Sequence, residues 1–257
     1  MEEVSNKQQT PRVSVIMPAY NAGRFVEAAV CSVIAQTMTD WELLVIDDGS
    51  SDDTCRIVEK LAQGDHRIRL LRNEKNLGVS NTRNRGIALA KGAYIAFLDS
   101  DDVWHPQKLE KQLAQMEVSG ADICYCSYAI LDEAGKKAKA DYLVPEQVSF
   151  SELLKENVIG CSTVLLRREA LQNHCFGAAY YHEDYVLWLT LLREDFRACG
   201  CAEVLSDWRL IANSRSFNKF RSAVYRWKIY REYLNLNLSK SLCAFAGYAM
   251  ASLRKYR

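Results

Sequence analysis

Short apolar runs separated by polar turns organise the first half of the chain. VSVIMP (13–18), ELLVI (42–46), IRLLRN (68–73) and YIAFL (94–98) have the length and near-continuous hydrophobicity of buried strands. Between them, apolar residues recur at helical spacing. Phe25, Val26, Ala29, Val30, Val33 and Ile34 form one stripe, with Asn21 placed to cap it. Ile57, Val58 and Leu61 form the next, in a helix expected to start near Ser51. A third helix follows NLGVSNTRNRG and stops at Gly92. Pro106 is expected at the first position of a fourth, which runs through Leu109, Leu113 and Met116 to Gly120. Strands of this kind alternating with helices predict an α/β fold, a mostly parallel sheet covered on both faces. Beyond Gly120 the pattern loosens. DICYCSYAIL and STVLLRR read as strands, DYVLWLTLL as an amphipathic helix, and 217–257 as a helical extension.

Ligands on such sheets lie beyond the carboxyl ends of the strands. Those ends read Pro18-Ala19-Tyr20-Asn21, Asp47-Asp48-Gly49-Ser50 and Asp99-Ser100-Asp101-Asp102. Three aspartates at the tip of a buried strand are electrostatically costly unless a cation or hydrogen-bond donors face them. An acidic crevice of oxygen ligands suits Mg²⁺ or Mn²⁺, which completes its shell with water and substrate phosphates, so a diphosphate is expected in the ligand. The D-x-D spacing also occurs in ordinary surface turns and gains its weight from the other two strand ends. Tyr20 suits stacking on a base, and Asp48 suits a ring N–H such as the uracil imide. Helix capping is the competing reading of Asp48 and the preferred one for Asp52 and Asp53.

The ordered set PAYN (18–21), DDGSSDDT (47–54), NLGVSNTRNRG (76–86), FLDSDD (97–102) and HED (182–184) resembles the family 2 glycosyltransferases of the GT-A fold. The likeness runs from residue 12 to about 210, roughly four fifths of the chain. It implies a Rossmann-like sheet flanked by helices, and inverting transfer from a nucleotide-diphosphate sugar, a UDP-sugar by preference, with Mn²⁺ or Mg²⁺. On this resemblance Pro18, Tyr20 and Asp48 line the nucleoside pocket, Asp99 lies near the ribose and donor sugar, and Asp101 ligates the metal. Arg83 either binds donor or pairs with the aspartates. Asp184 is the base that takes the acceptor hydroxyl proton, and Glu183 orients the acceptor or its loop. Helix-dipole placement of both acids is the competing reading. Trp188 is read as core or as a sugar-facing aromatic. The chain departs from the family at WRLIANSRS (208–216), where Ile211 stands in place of a histidine; Arg215 or Lys219 would then face the leaving diphosphate. The organisation expected is a flexible lead (1–11), a nucleotide-sugar-binding half (12–120), an acceptor-binding and catalytic half (121–216) and the tail (217–257).

Charge adds one asymmetry. The net charge is +1, yet residues 208–257 hold eleven Lys/Arg against the single acid Glu232. The tail interleaves these cations with Tyr, Trp, Phe and Leu, so it is expected to lie on an anionic membrane surface, with packing on the catalytic domain or a dimer contact as the alternatives. No nucleic-acid-binding motif accompanies it. The amino terminus lacks a secretion-signal pattern, and the nine cysteines are not spaced as zinc knuckles. Reduced core thiols and a cytoplasmic protein, peripheral to the membrane, are expected, with a lipid-linked or glycan acceptor. A noncatalytic nucleotide-sugar-binding or membrane scaffold is the alternative from another class. A nucleotidyltransferase is the weaker one, since PAYNAGRF lacks its Gly-rich basic loop.

Overall fold

The structure, a computed structural model, describes residues 10–179, 181–211 and 219–255. Nearly all of the expected lead falls outside them. Nine strands build one sheet: β1 (Val13–Ala19), β2 (Trp41–Asp47), β3 (Ile68–Arg72), β4 (Tyr94–Phe97), β5 (Val103–Trp104), β6 (Ile123–Leu131), β7 (Lys137–Tyr142), β8 (Leu165–Arg167) and β9 (Ala198–Arg209). Their order is β3-β2-β1-β4-β8-β6-β9-β5, with β7 added to β6. The four strands read from the apolar runs are mutually parallel, and β8 joins β4 antiparallel. Parallel connections require crossovers, and helices α1 (Val26–Ile34), α2 (Thr54–Gly64) and α3 (Val79–Leu89) supply them. Strand alternation divides the core between the two faces. Val13, Val15 and Met17 pack on one side with α1 and with α4 (Lys108–Ser119). Ile16, Ile46 and Phe97 face the other side, against α6 (Glu183–Arg193).

Two local features aim the strand ends. Pro18 lies past Ile16, the last β1 residue paired with β4, so its missing N–H costs no ladder bond there. Gly86 brings α3 so close to the sheet that a Cβ would lie 2.5 Å from Ile16 Cγ2. The helix therefore holds Arg83 directly beside the end of β4.

Several boundaries differ from the sequence reading. Asn21 does not cap α1. It adopts φ 48°, and its Oδ1 accepts the Ser51 N–H at 2.9 Å, tying the loop after β1 to the loop after β2. Pro106 stays in the turn before α4, which begins at Lys108. α2 begins at Thr54, where Asp52 Oδ1 accepts the Thr54 N–H at 3.0 Å. The nine cysteines are all free, but Cys31, Cys175 and Cys243 are exposed, so the core-thiol reading holds for only part of the set.

The largest difference concerns α6 and the tail. α6 is not amphipathic; Glu183 and Tyr185 through Leu192 are all buried. Its outward side is covered by the C-terminal helices α7 (Lys219–Lys228) and α8 (Leu238–Lys255), joined through a π-helical turn at Ile229–Tyr233. Ile229, Tyr230, Leu234 and Ala244 belong to the same core cluster as α6. Tyr233 and Thr190 share a 2.7 Å hydroxyl contact, and Gly247 sits against the stem of Lys155 in α5 (Phe150–Lys155). Among the described residues no helix is long and apolar enough to cross a membrane.

Candidate active site

The ends of β1, β2 and β4 open into one cleft of about 950 Å³, closed on another side by the start of α6 and by α7 and α8. Pro18, Tyr20, Asp48, Arg83, Asp99, Asp101, Glu183 and Asp184 all line it, so the sequence-predicted residues converge apart from Trp188. Trp188 is 0% exposed and packs edge-on against Phe176 at 6.1 Å between ring centroids; it is core. One turn beyond Asp184, it points into the core against Phe97 and Phe176. Tyr20, by contrast, is 53% exposed at the cleft, a flat ring free to be covered.

The three aspartates at the end of β4 have separate fates. Asp99 Oδ1 accepts Arg83 Nη2 at 2.6 Å. Asp102 is turned inward, where Oδ2 accepts the Ser162 hydroxyl at 2.5 Å and Oδ1 accepts the Arg209 N–H at 3.0 Å. Burial, reinforced by Asp101 and Asp99, pushes the Asp102 carboxyl well above the usual range. Asp101 receives no side-chain donor among the described residues, and burial together with Asp99 pushes it up to about 6. A carboxylate desolvated without a donor is one that a divalent cation would stabilise. No group of three or more His, Cys, Asp or Glu among the described residues could by itself hold a metal ion. That donor set fits a Mg²⁺- or Mn²⁺-type ion carried largely by water and phosphate, with Asp101 as its protein ligand.

Asp48 is built into the floor of the cleft. Its Oδ1 accepts Asn73 Nδ2 at 2.7 Å and the Leu77 N–H at 2.8 Å, and its Oδ2 accepts the Gly78 N–H at 2.9 Å. It thus fixes the loop leading into α3 and does not cap α2. With about four lone-pair sites on a carboxylate, one remains for a ligand donor.

Arg83 is buried between two carboxylates, Asp99 and, through Nη1 at 2.9 Å, Glu183 Oε1. The ion-pair reading of Arg83 thus describes its geometry, although the residue also lines the cleft. The pair joins the end of β4 to the first turn of α6, which places Asp184. Among the described residues, Asp184 Oδ1 accepts only the N–H of its neighbour Tyr185, at 2.7 Å. Burial first, and then the adjacent Glu183, pushes Asp184 up to about 6.

This arrangement of strand-end acids, a D-x-D turn and a helix-borne carboxylate was compared with known proteins. The model of the family Glycosyl transferase family 2 matches residues 14–175, more than half of the chain. The chain belongs to glycosyl transferase family 2. As a family 2 glycosyltransferase it is 36% identical to the Bacillus subtilis (strain 168) putative teichuronic acid biosynthesis glycosyltransferase TuaG, covering 95% of this chain and 97% of that one. It is 37% identical to the Escherichia coli UDP-Glc:alpha-D-GlcNAc-diphosphoundecaprenol beta-1,3-glucosyltransferase WfgD, over 95% of this chain and 94% of that one. The fold matches the GT-A glycosyltransferases. S. aureus TarS 1–349 in complex with UDP-GlcNAc aligns over 93% of this chain and 71% of its own, with TM-score 0.74 and 20% identity. The Pyrobaculum calidifontis mannosyltransferase PcManGT with GDP-Man and Mn²⁺ aligns over 96% of this chain and 76% of its own, with TM-score 0.71 and 16% identity.

Sequence reasoning missed the residues that brace this glycosyltransferase's D-x-D turn. Ser162 bridges Asp102 and the Asp99 N–H, and Arg209 donates from Nε to the Asp101 carbonyl at 3.0 Å. Nothing local marks Ser162 in NVIGCSTVLL; only the placement of β8 beside β4 brings it there. Ile211, at the position where the family's histidine would stand, does line the cleft. Arg215 and the Lys219 side chain, the alternatives offered for that histidine, lie outside the described residues. His105 is absent from the lining and pairs with Asp207 at 2.8 Å. His182 lines the cleft just before α6.

Proposed function

We propose that this glycosyltransferase moves a sugar, with inversion, from a UDP-sugar to a hydroxyl of a lipid-diphosphate-linked acceptor in cell-surface polysaccharide synthesis, at the inner face of the membrane. The observation that carries the reading is the cleft itself. It gathers two desolvated carboxylates, Asp101 and Asp184, each pushed to about 6, with Pro18, Tyr20 and Asp48 beside them.

Asp184 suits a general base, because a group titrating near the working pH is both deprotonated and basic enough to take a proton. It accepts the proton of the acceptor hydroxyl as that oxygen bonds to the anomeric carbon. The bond from that carbon to the donor diphosphate breaks, and UDP leaves. A divalent cation on Asp101 supplies charge stabilisation for the departing diphosphate when bound. Tyr20 covers the base, and the remaining lone pair of Asp48 accepts the uracil N–H, which discriminates against bases lacking that donor. Arg83 holds Asp99 and Glu183 and so fixes the spacing between the donor end and the base.

Two relatives, WfgD and its E. coli counterpart WfaP, are named as glucosyltransferases acting on alpha-D-GlcNAc-diphosphoundecaprenol, and this supports a lipid-diphosphate acceptor. The tail supports the membrane placement. α8 packs on the domain through Ala244 and Gly247, yet it turns Leu242, Cys243, Ala246, Ala249 and Met250 outward, with Lys228, Arg231 and Lys240 also exposed. The test is calorimetric titration of UDP, GDP and CDP with and without Mn²⁺, followed by transfer assays. UDP binding that needs metal and is lost in Asp101→Ala, with transfer lost in Asp184→Ala, is the expected result. Nucleotide binding that ignores both metal and Asp101 would sink the reading.

A further inference from the structure

A second buried arginine in the cleft is not used by this chemistry. Arg226, on α7, is 6% exposed and lines the cleft with Asp184, Glu156, Ser222, Tyr248 and Ser252. Its Cζ lies over Tyr185, 3.6 Å from the ring centroid, and 4.7 Å from that of Tyr248. Among the described residues no carboxylate pairs with it, and its Nε and Nη1 find no hydrogen-bond acceptor. The Tyr185 and Tyr230 hydroxyls lie within reach of the guanidinium but carry no charge. A guanidinium is always charged, and a buried charge without a counter-charge is costly. Such a cation in a cleft wall is completed by an anion that arrives with the ligand.

We infer that Arg226 binds the phosphate of the acceptor, the diphosphate through which the acceptor sugar is joined to its lipid; this rests on the lipid-diphosphate reading above. The position argues for acceptor over donor. Arg226 is stacked on the residue that follows the base, and in a monosaccharide-diphosphate acceptor the attacked hydroxyl and the first phosphate are separated by a single sugar ring. It is also carried by the helical cap whose next helix, α8, presents the outward apolar stripe, so sugar, phosphate and lipid would follow in order from Asp184 through Arg226 to α8. The donor diphosphate is provided for by the Asp101 turn. A guanidinium offers donors in a planar fork that suits phosphate oxygens. Nε and Nη1 are buried, so the phosphate would approach from the Nη2 side.

The test uses the full chain as wild type, Arg226→Met and Arg226→Lys. Three acceptor-side and donor-side readouts are compared: KM for an alkyl diphosphate of α-GlcNAc, KM for the neutral alkyl glycoside of the same sugar, and UDP affinity with Mn²⁺. The expected result is an increase of about 10- to 150-fold in KM for the diphosphate acceptor in Arg226→Met, the size of a lost charged hydrogen bond. The neutral acceptor, kcat and UDP affinity should stay within a few-fold, and Arg226→Lys should recover part of the loss. Loss of UDP affinity with the acceptor KM unmoved would assign Arg226 to the donor and overturn the inference. An equal loss on both acceptors would mark a packing role and overturn it as well. If wild type glycosylates neither acceptor, the acceptor-sugar reading fails by itself. Titration of inorganic diphosphate in EDTA then decides on Arg226: binding lost in Arg226→Met supports the anion site, and binding unchanged by the substitution rejects it.

Discussion

Arg83 and Arg226 are buried in walls of the same cleft, but Arg83 gives both terminal nitrogens to carboxylates, whereas Arg226 has aromatic rings for neighbours and no counter-charge among the described residues. The strand-end wall pairs its charges internally: Arg83 meets Asp99 and Glu183, although its Nε finds no acceptor among the described residues. Asp99, Asp102, Asp48 and Glu183 each have protein donors, and Asp101 has no side-chain donor among the described residues. The helical cap is internally incomplete and waits for its ligand. A wall that must fix geometry closes its own hydrogen bonds. A wall that must recognise charge leaves them open, at a cost in stability.

The sharpest break of this comparison is at the base. Asp184→Asn keeps the fold and donor affinity but lowers single-turnover transfer by about 10²–10⁴-fold, the usual worth of a positioned base. In wild type the rate rises with pH through about 6, because below that value Asp184 already holds a proton and cannot take another. Glu183→Gln removes the neighbouring charge that helps to raise Asp184, so the midpoint of the pH–rate profile moves down. A profile that does not move would deny that the two acids interact.

Next in size is stability. Arg83→Met strands Asp99 and Glu183 and costs about 3–5 kcal/mol, the range for breaking a buried pair from one side. Arg226→Met strands no carboxylate, keeps apolar contact with Tyr185, and changes stability by less than about 1 kcal/mol, because the lost cation–π contact and the relieved desolvation oppose each other. Denaturant melts of both variants measure the contrast directly. Equal losses would mean that Arg226 has a structural partner after all.

A smaller effect separates the carboxylates of the D-x-D turn. Asp101→Ala removes the metal-dependent increment of UDP affinity, about 10- to 150-fold if it equals one charge-assisted contact. Asp102→Asn, whose carboxylate is consumed by Ser162 and Arg209, keeps the metal dependence. Calorimetry at fixed Mn²⁺ discriminates the two.

The same asymmetry explains what could be read from sequence. The parallel strands and their ends were legible because each is a local run whose hydrophobicity and terminal Asp, Pro or Gly are visible within ten residues, and the convergence of Asp48, Asp99 and Asp101 follows from parallel topology alone. Asn21 and Pro106 do not start helices because each is tied to another turn: Asn21 Oδ1 accepts the Ser51 N–H, and the Pro106 carbonyl accepts the Thr37 N–H at 2.8 Å. Ser162 is unmarked in the sequence, and Arg209 shows only as a kept position of the family's segment at 208–216; their contact with the turn comes from β8 pairing antiparallel with β4 and β9 with β5, which no short spacing encodes. α6 reads as amphipathic because its polar positions, Glu183, Asp184 and Thr190, fall at helical spacing; Glu183 is buried by Arg83, a hundred positions earlier, and Thr190 by Tyr233, some forty positions later.

The tail is where this long-range logic leaves a surface open. α8 shows residues 242, 243, 246, 249 and 250 to solvent, an i, i+1, i+4, i+7, i+8 stripe, with Leu242 54% and Met250 58% exposed. Exposed positions like these contribute little to folding, so Leu242→Glu and Met250→Glu should change stability by no more than about 0.5 kcal/mol. Transfer to a short-chain, water-soluble acceptor should likewise be unaffected. Co-sedimentation with vesicles containing anionic lipid is where the change appears: each glutamate removes apolar burial and adds repulsion, and Lys240→Glu weakens binding by about 1 kcal/mol per charge removed, more at low salt than at high. If vesicle binding is indifferent to all three substitutions, the stripe is not the membrane-facing side of the cap. The lipid would then have to leave the cleft by another route, although Arg226 could still hold its phosphate.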